Sequence, residues 1–199
     1  NSSFFRMDPD VPLIVPQVNS EDLDSIKKNI IANPNCSTAQ LVIALKPLHD
    51  LFVIKRVVVS TYQSVSGGGK APMDELIEQT KFVLDGKKIV SKNFTKQIAF
   101  NAIPHIDKFS DSGYTKEELK MTNETKKILD SKIDLTATCV RLPISISHAE
   151  SVNIQFEKPF SLEKVRSALE NFEGCKVIDE RVDGGYATPL DAEGKNETF

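Results

Sequence analysis

The run Val53-Ile-Lys-Arg-Val-Val-Val-Ser60 limits what this chain can become more than any other stretch. Five of its eight residues are β-branched and apolar, which suits a pleated, buried strand. Such a strand needs partners and a cover, and the sequence offers both. Before it, Ala39, Leu41, Val42, Ala44 and Leu45 recur at helical spacing, in a helix expected to start after Cys36 and run to about Pro47. After it come Thr61-Tyr-Gln63, the Gly-rich loop Ser64 to Lys70, and a helical pattern over Pro72 to Leu84. Thr115 and Glu118 have the spacing of a capping box at the head of an amphipathic helix reaching about Leu129. Strands are predicted at Leu135 to Leu142, Ile144 to Ile146 and Ser151 to Phe156, the last with strict apolar–polar alternation. Ser161 caps a helix to about Phe172, Cys175 to Val182 reads as a short strand, and Gly184-Gly185 opens a tail. Upstream, Asn1 to Val18 is Pro-rich and extended, and Asn19-Ser-Glu-Asp22 caps a short helix through Asn29. This order of elements predicts an α+β domain whose mixed sheet is covered by helices on one side.

At 199 residues the chain can bury a sizeable core, and its net charge of −3 argues against a general nucleic-acid or anionic-membrane surface. No apolar run approaches the roughly 18 residues of a membrane span. Three cysteines, at 36, 139 and 175, form no CxxC pair, so neither a metal site nor a disulfide framework is expected, and a reducing cytoplasm is the simplest compartment. The chain opens without Met and stops at Asn-Glu-Thr-Phe199, so it is expected to be an internal piece of something longer.

The chemistry centres on Ile31-Ala-Asn-Pro-Asn-Cys-Ser-Thr-Ala-Gln40. Asn33, Pro34 and Asn35 resist helix, while Ser37 and Thr38 are good caps, so the Cys36 thiol sits where the chain turns into a helix. Free N–H groups and the positive helix end there favour a thiolate. A buried, inert thiol is the alternative. Gln63 ends the strong strand. Arg141 is a cation among apolar neighbours, suited either to a ligand or to a structural salt bridge. His148 is either a structural histidine or the partner of Cys36.

Five blocks in order carry a resemblance. They are Asn33-Pro-Asn-Cys-Ser-Thr38, Ser60-Thr-Tyr-Gln-Ser-Val-Ser-Gly-Gly-Gly69, Asn101-Ala-Ile-Pro-His-Ile-Asp107, Glu117-Glu-Leu-Lys120 and Val140-Arg-Leu-Pro-Ile-Ser-Ile-Ser-His-Ala-Glu-Ser151. Together with Asn1-Ser-Ser and Arg6-Met-Asp-Pro-Asp10, they resemble the bacterial branch of aspartate-semialdehyde dehydrogenase across nearly the whole chain.

The resemblance implies that Cys36 is the nucleophile, His148 the acid/base, and Gln63 a holder of the acyl intermediate. It implies Arg141 as the clamp on the substrate α-carboxylate, Glu117 as the contact to the amino group, and Lys120 and Asn35 as phosphate contacts. Ser66 and Gly67 would approach the nicotinamide end of NADP. The implied reaction is NADP-dependent reductive dephosphorylation of L-aspartyl-4-phosphate to the semialdehyde through a thioacyl enzyme, a step of amino-acid biosynthesis. The implied fold is that of the C-terminal catalytic domain of glyceraldehyde-3-phosphate-dehydrogenase-like enzymes, with homodimer formation through the sheet.

The family's Gly-rich dinucleotide-binding half is not among these residues, nor is an arginine which that half places on the phosphate. Residues 1–19 are therefore expected to be the end of a cofactor domain, 20–185 the catalytic and dimerisation domain, and 186–199 a tail returning to the cofactor domain. Such a fragment is expected to be inactive alone. Two other readings stand beside this one: a non-catalytic dimerisation module, and N-acetyl-glutamyl-phosphate reductase. The Glu117/Lys120 pair and the Arg141-to-His148 spacing favour the aspartate enzyme over the second.

Overall fold

A computed structural model describes residues 3–199. Asn1 and Ser2, with which the expected extended entry begins, lie outside the described residues. The elements in order are α1 (Pro16–Asn19), a 3-10 turn (Ser20–Ser25), α2 (Cys36–Phe52), β1 (Ile54–Gln63), a second 3-10 turn (Val65–Gly68), α3 (Lys70–Leu84), α4 (Lys116–Ile128), β2 (Asp134–Arg141), β3 (His148–Phe156) and α5 (Leu162–Glu170).

The strong strand is the centre of the sheet. β1 runs parallel to β2 on one side and antiparallel to β3 on the other. Its alternate residues Val57, Val59, Thr61 and Gln63 face inward and are buried. Register carries this alternation across all three strands, in rows of Val57 with Leu135 and Ile154, then Val59 with Ala137 and Val152. Leu41, Leu45, Leu48 and Phe52 of α2 and Met121 of α4 close the core over this face, with Val165, Ala168 and Leu169 of α5 packed against it. On the other face Thr138, Ser151 and Asn153 are exposed and Tyr62 is 39% exposed. The architecture is thus α+β, a mixed sheet covered by helices on one side.

Local sequence explains most of the elements. Both halves of the Thr115/Glu118 capping box form, and Ser161 caps α5. α2 outruns its expected end and passes through Pro47 to Phe52. A proline inside a helix leaves the carbonyl four residues back without its donor, and here Cys175 Sγ donates to Ile43 O at 3.7 Å. Burial of Leu48 and Phe52 supplies the reason to continue.

Four other expectations differ from the structure. The helix through Asn29 is only α1 plus a 3-10 turn, because Asn19 turns inward, donating to Leu13 O (2.9 Å) and accepting from Val15 N (2.9 Å), and so leaves the 3-10 turn uncapped. The N-terminal segment is not extended throughout. It makes turns and a single bridge from Leu13 to Ala32, and buries Val11, Leu13, Val15 and Val18 against Val42 and Ile128. Ile144 to Ile146 is a turn, since Pro143 has no N–H for a ladder and Ser147 takes a positive φ of 67°. Cys175 to Val182 makes only isolated bridges, Cys175 with Thr198 and Asp179 with Tyr186.

The N-terminal segment is tied to α4 by one cation. Lys127 Nζ donates to the carbonyls of Arg6 (2.8 Å), Asp8 (2.7 Å) and Val11 (2.8 Å). Removing it leaves three oriented acceptors without a donor. Lys127→Met is expected to cost about 2–3 kcal/mol, against less than about 0.5 for exposed Lys132→Ala. Urea melts of the two variants check this.

Candidate active site

The inward row at the end of the sheet departs from the apolar pattern. Gln63 of β1 pairs in register with Arg141 of β2 and with His148 of β3, so three polar side chains share one line. The start of α2 meets this line. Asn35 is its N-cap, accepting from Ser37 N at 3.0 Å, and Cys36 is the first helical residue. Cys36 Sγ lies 3.2 Å from His148 Nε2. These residues, with Arg6, Gly67, Glu117 and Lys120, line a cavity of about 670 Å³. A second cavity of about 440 Å³, on the far side of β3's first residues, touches this one only through His148.

The loop before Cys36 is fixed by a buried ion pair. Arg6 Nη1 donates to Glu124 Oε1 (3.0 Å) and Arg6 Nε to Asn33 O (2.8 Å), while Glu124 Oε2 accepts from Asn35 N (2.6 Å). Seven residues earlier on α4, Glu117 accepts from Asn35 Nδ2 (2.9 Å), Gln63 Nε2 (3.2 Å) and Lys120 Nζ (3.1 Å). Burial alone would raise the Glu117 carboxyl. The hydrogen bond from Asn35, the charge and bond of Lys120 and the Gln63 amide outweigh it and hold it below its usual range. Lys120 also pairs with Asp107 (2.9 Å). Buried Glu117 and half-buried Lys120 are therefore parts of one network. Gln63 Nε2 also donates to Ser37 Oγ, and Gln63 Oε1 is buried with no hydrogen-bond partner among the described residues.

Arg141 is half-buried, and among the described residues no carboxylate lies within ion-pair distance of it. Its Nη1 donates to Ser64 O. The structural salt bridge that the sequence left open is absent, and the guanidinium faces the cavity with capacity to spare. Burial disfavours its charge, with Glu117 acting in the opposite sense. A desolvated cation beside a thiol suits a carboxylate or phosphate ligand.

The thiol corrects one expectation. Cys36 is exposed at the cavity mouth, yet loss of hydration and the Glu117 charge push its pKa above the usual value. The backbone N–H groups of Ser37 and Cys36 and the Ser37 hydroxyl favour the thiolate as anticipated, but they do not win in the free protein. Cys139, fully buried, is pushed to about 12 by burial, and burial raises Cys175 as well. Burial and then Arg141 lower His148 against the opposing Ser147 backbone and Glu117.

Gly67 lines the same cavity, and Ser66 precedes it in the turn. A Cβ on Gly67 would lie 3.7 Å from Arg141 Nη1 and 3.9 Å from His148 Nε2, so glycine keeps that approach open. Ser66 Oγ is 2.9 Å from Ser64 Oγ. The turn can flank the reacting end of a flat cofactor. Its 3-10 helix is only 4 residues long. No group of three potential metal ligands occurs among the described residues.

All of the expected site residues except Ser66 line the one cavity, and Ser66 is linked to it through Ser64 and His148. Sequence reasoning missed Arg6, Glu124, Asp107 and Ser64. The spacing of Glu117, Met121, Glu124 and Ile128, one face of a helix, could have flagged Glu124 as buried. Arg6→Met would leave Glu124 buried without its cation and is expected to cost about 3–5 kcal/mol. Chemical denaturation checks it, and loss below about 1 kcal/mol would contradict the described burial.

Comparison with known proteins adds to this geometry. The model of the semialdehyde dehydrogenase dimerisation domain matches residues 45–199. An aspartate-semialdehyde dehydrogenase of Aquifex aeolicus is 54% identical over 202 residues, which cover 100% of this chain and 59% of that protein. The crystal structure of aspartate semialdehyde dehydrogenase II complexed with ASA from Vibrio cholerae superposes with a TM-score of 0.90 at 47% identity, covering 97% of this chain and 57% of that one. A Candida albicans aspartate semialdehyde dehydrogenase structure with NADP gives a TM-score of 0.62 at 29% identity, covering 86% of this chain and 47% of that one. The chain thus spans less than two thirds of the length of each of these relatives.

Proposed function

Because this chain belongs to the aspartate-semialdehyde dehydrogenase family, we propose that it carries the acyl-transfer site of a reductase converting L-aspartyl-4-phosphate to L-aspartate 4-semialdehyde. The observation that carries the reading is the Arg141 guanidinium, without a carboxylate partner, in one strand-end row with the Cys36–His148 pair. Cys36 attacks the acyl carbon and becomes the thioacyl enzyme; His148 is the acid/base partner at 3.2 Å. Gln63 holds the acyl group, its free Oε1 available to the substrate. Arg141 grips the α-carboxylate in a bidentate fork, Glu117 meets the α-ammonium, and Lys120 with Asn35 borders the phosphate. NADP, when bound against Ser66 and Gly67, supplies hydride.

Residues 20–185 make the catalytic and dimerisation unit, while 1–19 and 186–199 join it to a cofactor-binding domain. Without that domain the chain alone is expected not to turn over. The uncovered outer face of the sheet, with Thr138, Ser151 and Asn153 exposed and Tyr62 near the end of its central strand, supports a homodimer. Light scattering at tens of micromolar should give twice 22.1 kDa; a monomer mass would count against the dimer. The setting is amino-acid biosynthesis in the cytoplasm.

The test of substrate recognition is Arg141→Lys in the protein that joins this chain to its cofactor domain. Charge is kept and the paired geometry lost. The expected fall in kcat/KM is on the order of 10²-fold, about 3 kcal/mol, with a smaller change in stability. Near-normal kcat/KM with a lowered Tm would move Arg141 from the substrate site to the scaffold.

A further inference from the structure

Lys120 stands between two carboxylates. Its Nζ donates to Asp107 Oδ2 at 2.9 Å and to Glu117 Oε2 at 3.1 Å. Glu117 and Lys120 line the cavity of the Cys36 thiol, whereas Asp107 lines a separate cavity of about 250 Å³ and reaches the ammonium from that side. The local backbone is built for this grip. Asp107 has a positive φ of 66°, a conformation costly for most residues that aspartate tolerates. Its Oδ1 accepts from the next amide, Lys108 N, at 2.8 Å, which leaves Oδ2 for Lys120. Strain of this kind persists where the surroundings hold it.

The charge of the trio follows. Burial alone would raise the Asp107 carboxyl, yet the bonds from Lys120 and Lys108 N and the charges of Lys120 and Lys116 keep it below its usual range. Glu117 is held low as well, and its two partners raise Lys120 against the effect of burial. Two carboxylates and one ammonium leave a net charge of −1 at neutral pH. Without Asp107 the Lys120 charge would cancel that of Glu117, whose other partners, Asn35 and Gln63, are neutral.

We propose that Asp107 is a positioning residue that sets specificity: by sharing the charge of Lys120 it leaves Glu117 free to bind an ammonium, so that the site selects acyl phosphates with a free α-amine over N-acylated ones. The inference rests on the role given above to Glu117 and goes beyond it to the class of amine accepted. An N-acylated substrate presents a neutral amide to Glu117, which gains nothing from the net charge and does not offset the hydration that Glu117 loses. Selectivity has a cost on the phosphate side, because an anion arriving at Lys120 must compete with Asp107 for it.

Protection of Cys36 from alkylation, read by mass spectrometry on the chain itself at low ionic strength, decides the matter without turnover. The probes are L-aspartate, N-acetyl-L-aspartate and inorganic phosphate. In the unaltered protein L-aspartate should protect at a lower concentration than its N-acetyl form. Asp107→Asn keeps an acceptor for Lys108 N and tolerates the positive φ, so it is expected to fold. It should cut the preference for L-aspartate about fivefold, the scale of one charge at the solvent edge, and let phosphate protect at a severalfold lower concentration. In a Lys120→Met background the same change should alter the preference by less than about twofold, because Asp107 acts through Lys120. An equal loss of protection by all three probes is what a merely structural role gives, and it overturns the proposal. So does a preference that falls as far in the Lys120→Met background. A protein with no preference for L-aspartate at the outset sinks the Glu117–ammonium reading and this inference with it. A preference that survives Asp107→Asn, whatever happens to Tm, sinks this inference alone.

Discussion

Everything at the site depends on the register of β1 against its two neighbours. A strand's side chains alternate faces, so a slip of one residue on either side would send Arg141 or His148 to the outer face. The hydrophobic rows set that register: Val57 and Val59 find Leu135, Ala137, Ile154 and Val152 only when Gln63 stands between Arg141 and His148. Packing in the middle of the sheet thereby aims the chemistry at its end. The next row in, Thr61 with Cys139 and Glu150, is the transition between the two. Cys139 is apolar enough to join the core, whereas Glu150 is pushed by burial to about 8 and keeps one oxygen without a hydrogen-bond partner among the described residues.

Around that row, α4 does something costly. It buries Glu117, Glu118 and Glu124 on the side that faces the protein. Each has donors to offset the lost hydration: Glu117 takes Asn35, Gln63 and Lys120, Glu118 takes the N–H groups of Thr115 and Cys139, and Glu124 takes Arg6 and Asn35 N. Buried ion pairs of this kind seldom add net stability. Their effect here is geometric, since the start of α2, the end of β1 and the N-terminal segment are all hung from one helix face. The thiol is placed by carboxylates that never touch it.

The sequence made the central strand, the capping box and the order of elements legible because those signals are local. Cys36, Gln63, Arg141 and His148 stood out as polar residues beside apolar runs, but only tertiary structure puts residues so far apart in the chain into one line. The β3 strand is longer than expected, starting at His148, because polar residues occupy inward positions there and hide the alternation. The turn at Ser147 and the uncapped 3-10 turn after Asn19 rest on details that residue patterns do not reveal: Ser147 takes a positive φ, and the Asn19 side chain turns back to Leu13 and Val15 instead of capping forward. The Cys36 thiol shows the same limit: its own helix start favours the thiolate, while loss of hydration in the folded site and then Glu117, on a different helix, push the other way.

The passage of α2 through Pro47 couples two positions far apart in the chain. The proline frees the Ile43 carbonyl, and the Cys175 thiol answers it from the far end of the chain. A relative with an ordinary residue at the proline position has its own N–H for that carbonyl and no need of a donor at 175. Substitution at one position therefore changes what is tolerated at the other. Cys175 is thereby coupled to Pro47 through a single backbone carbonyl.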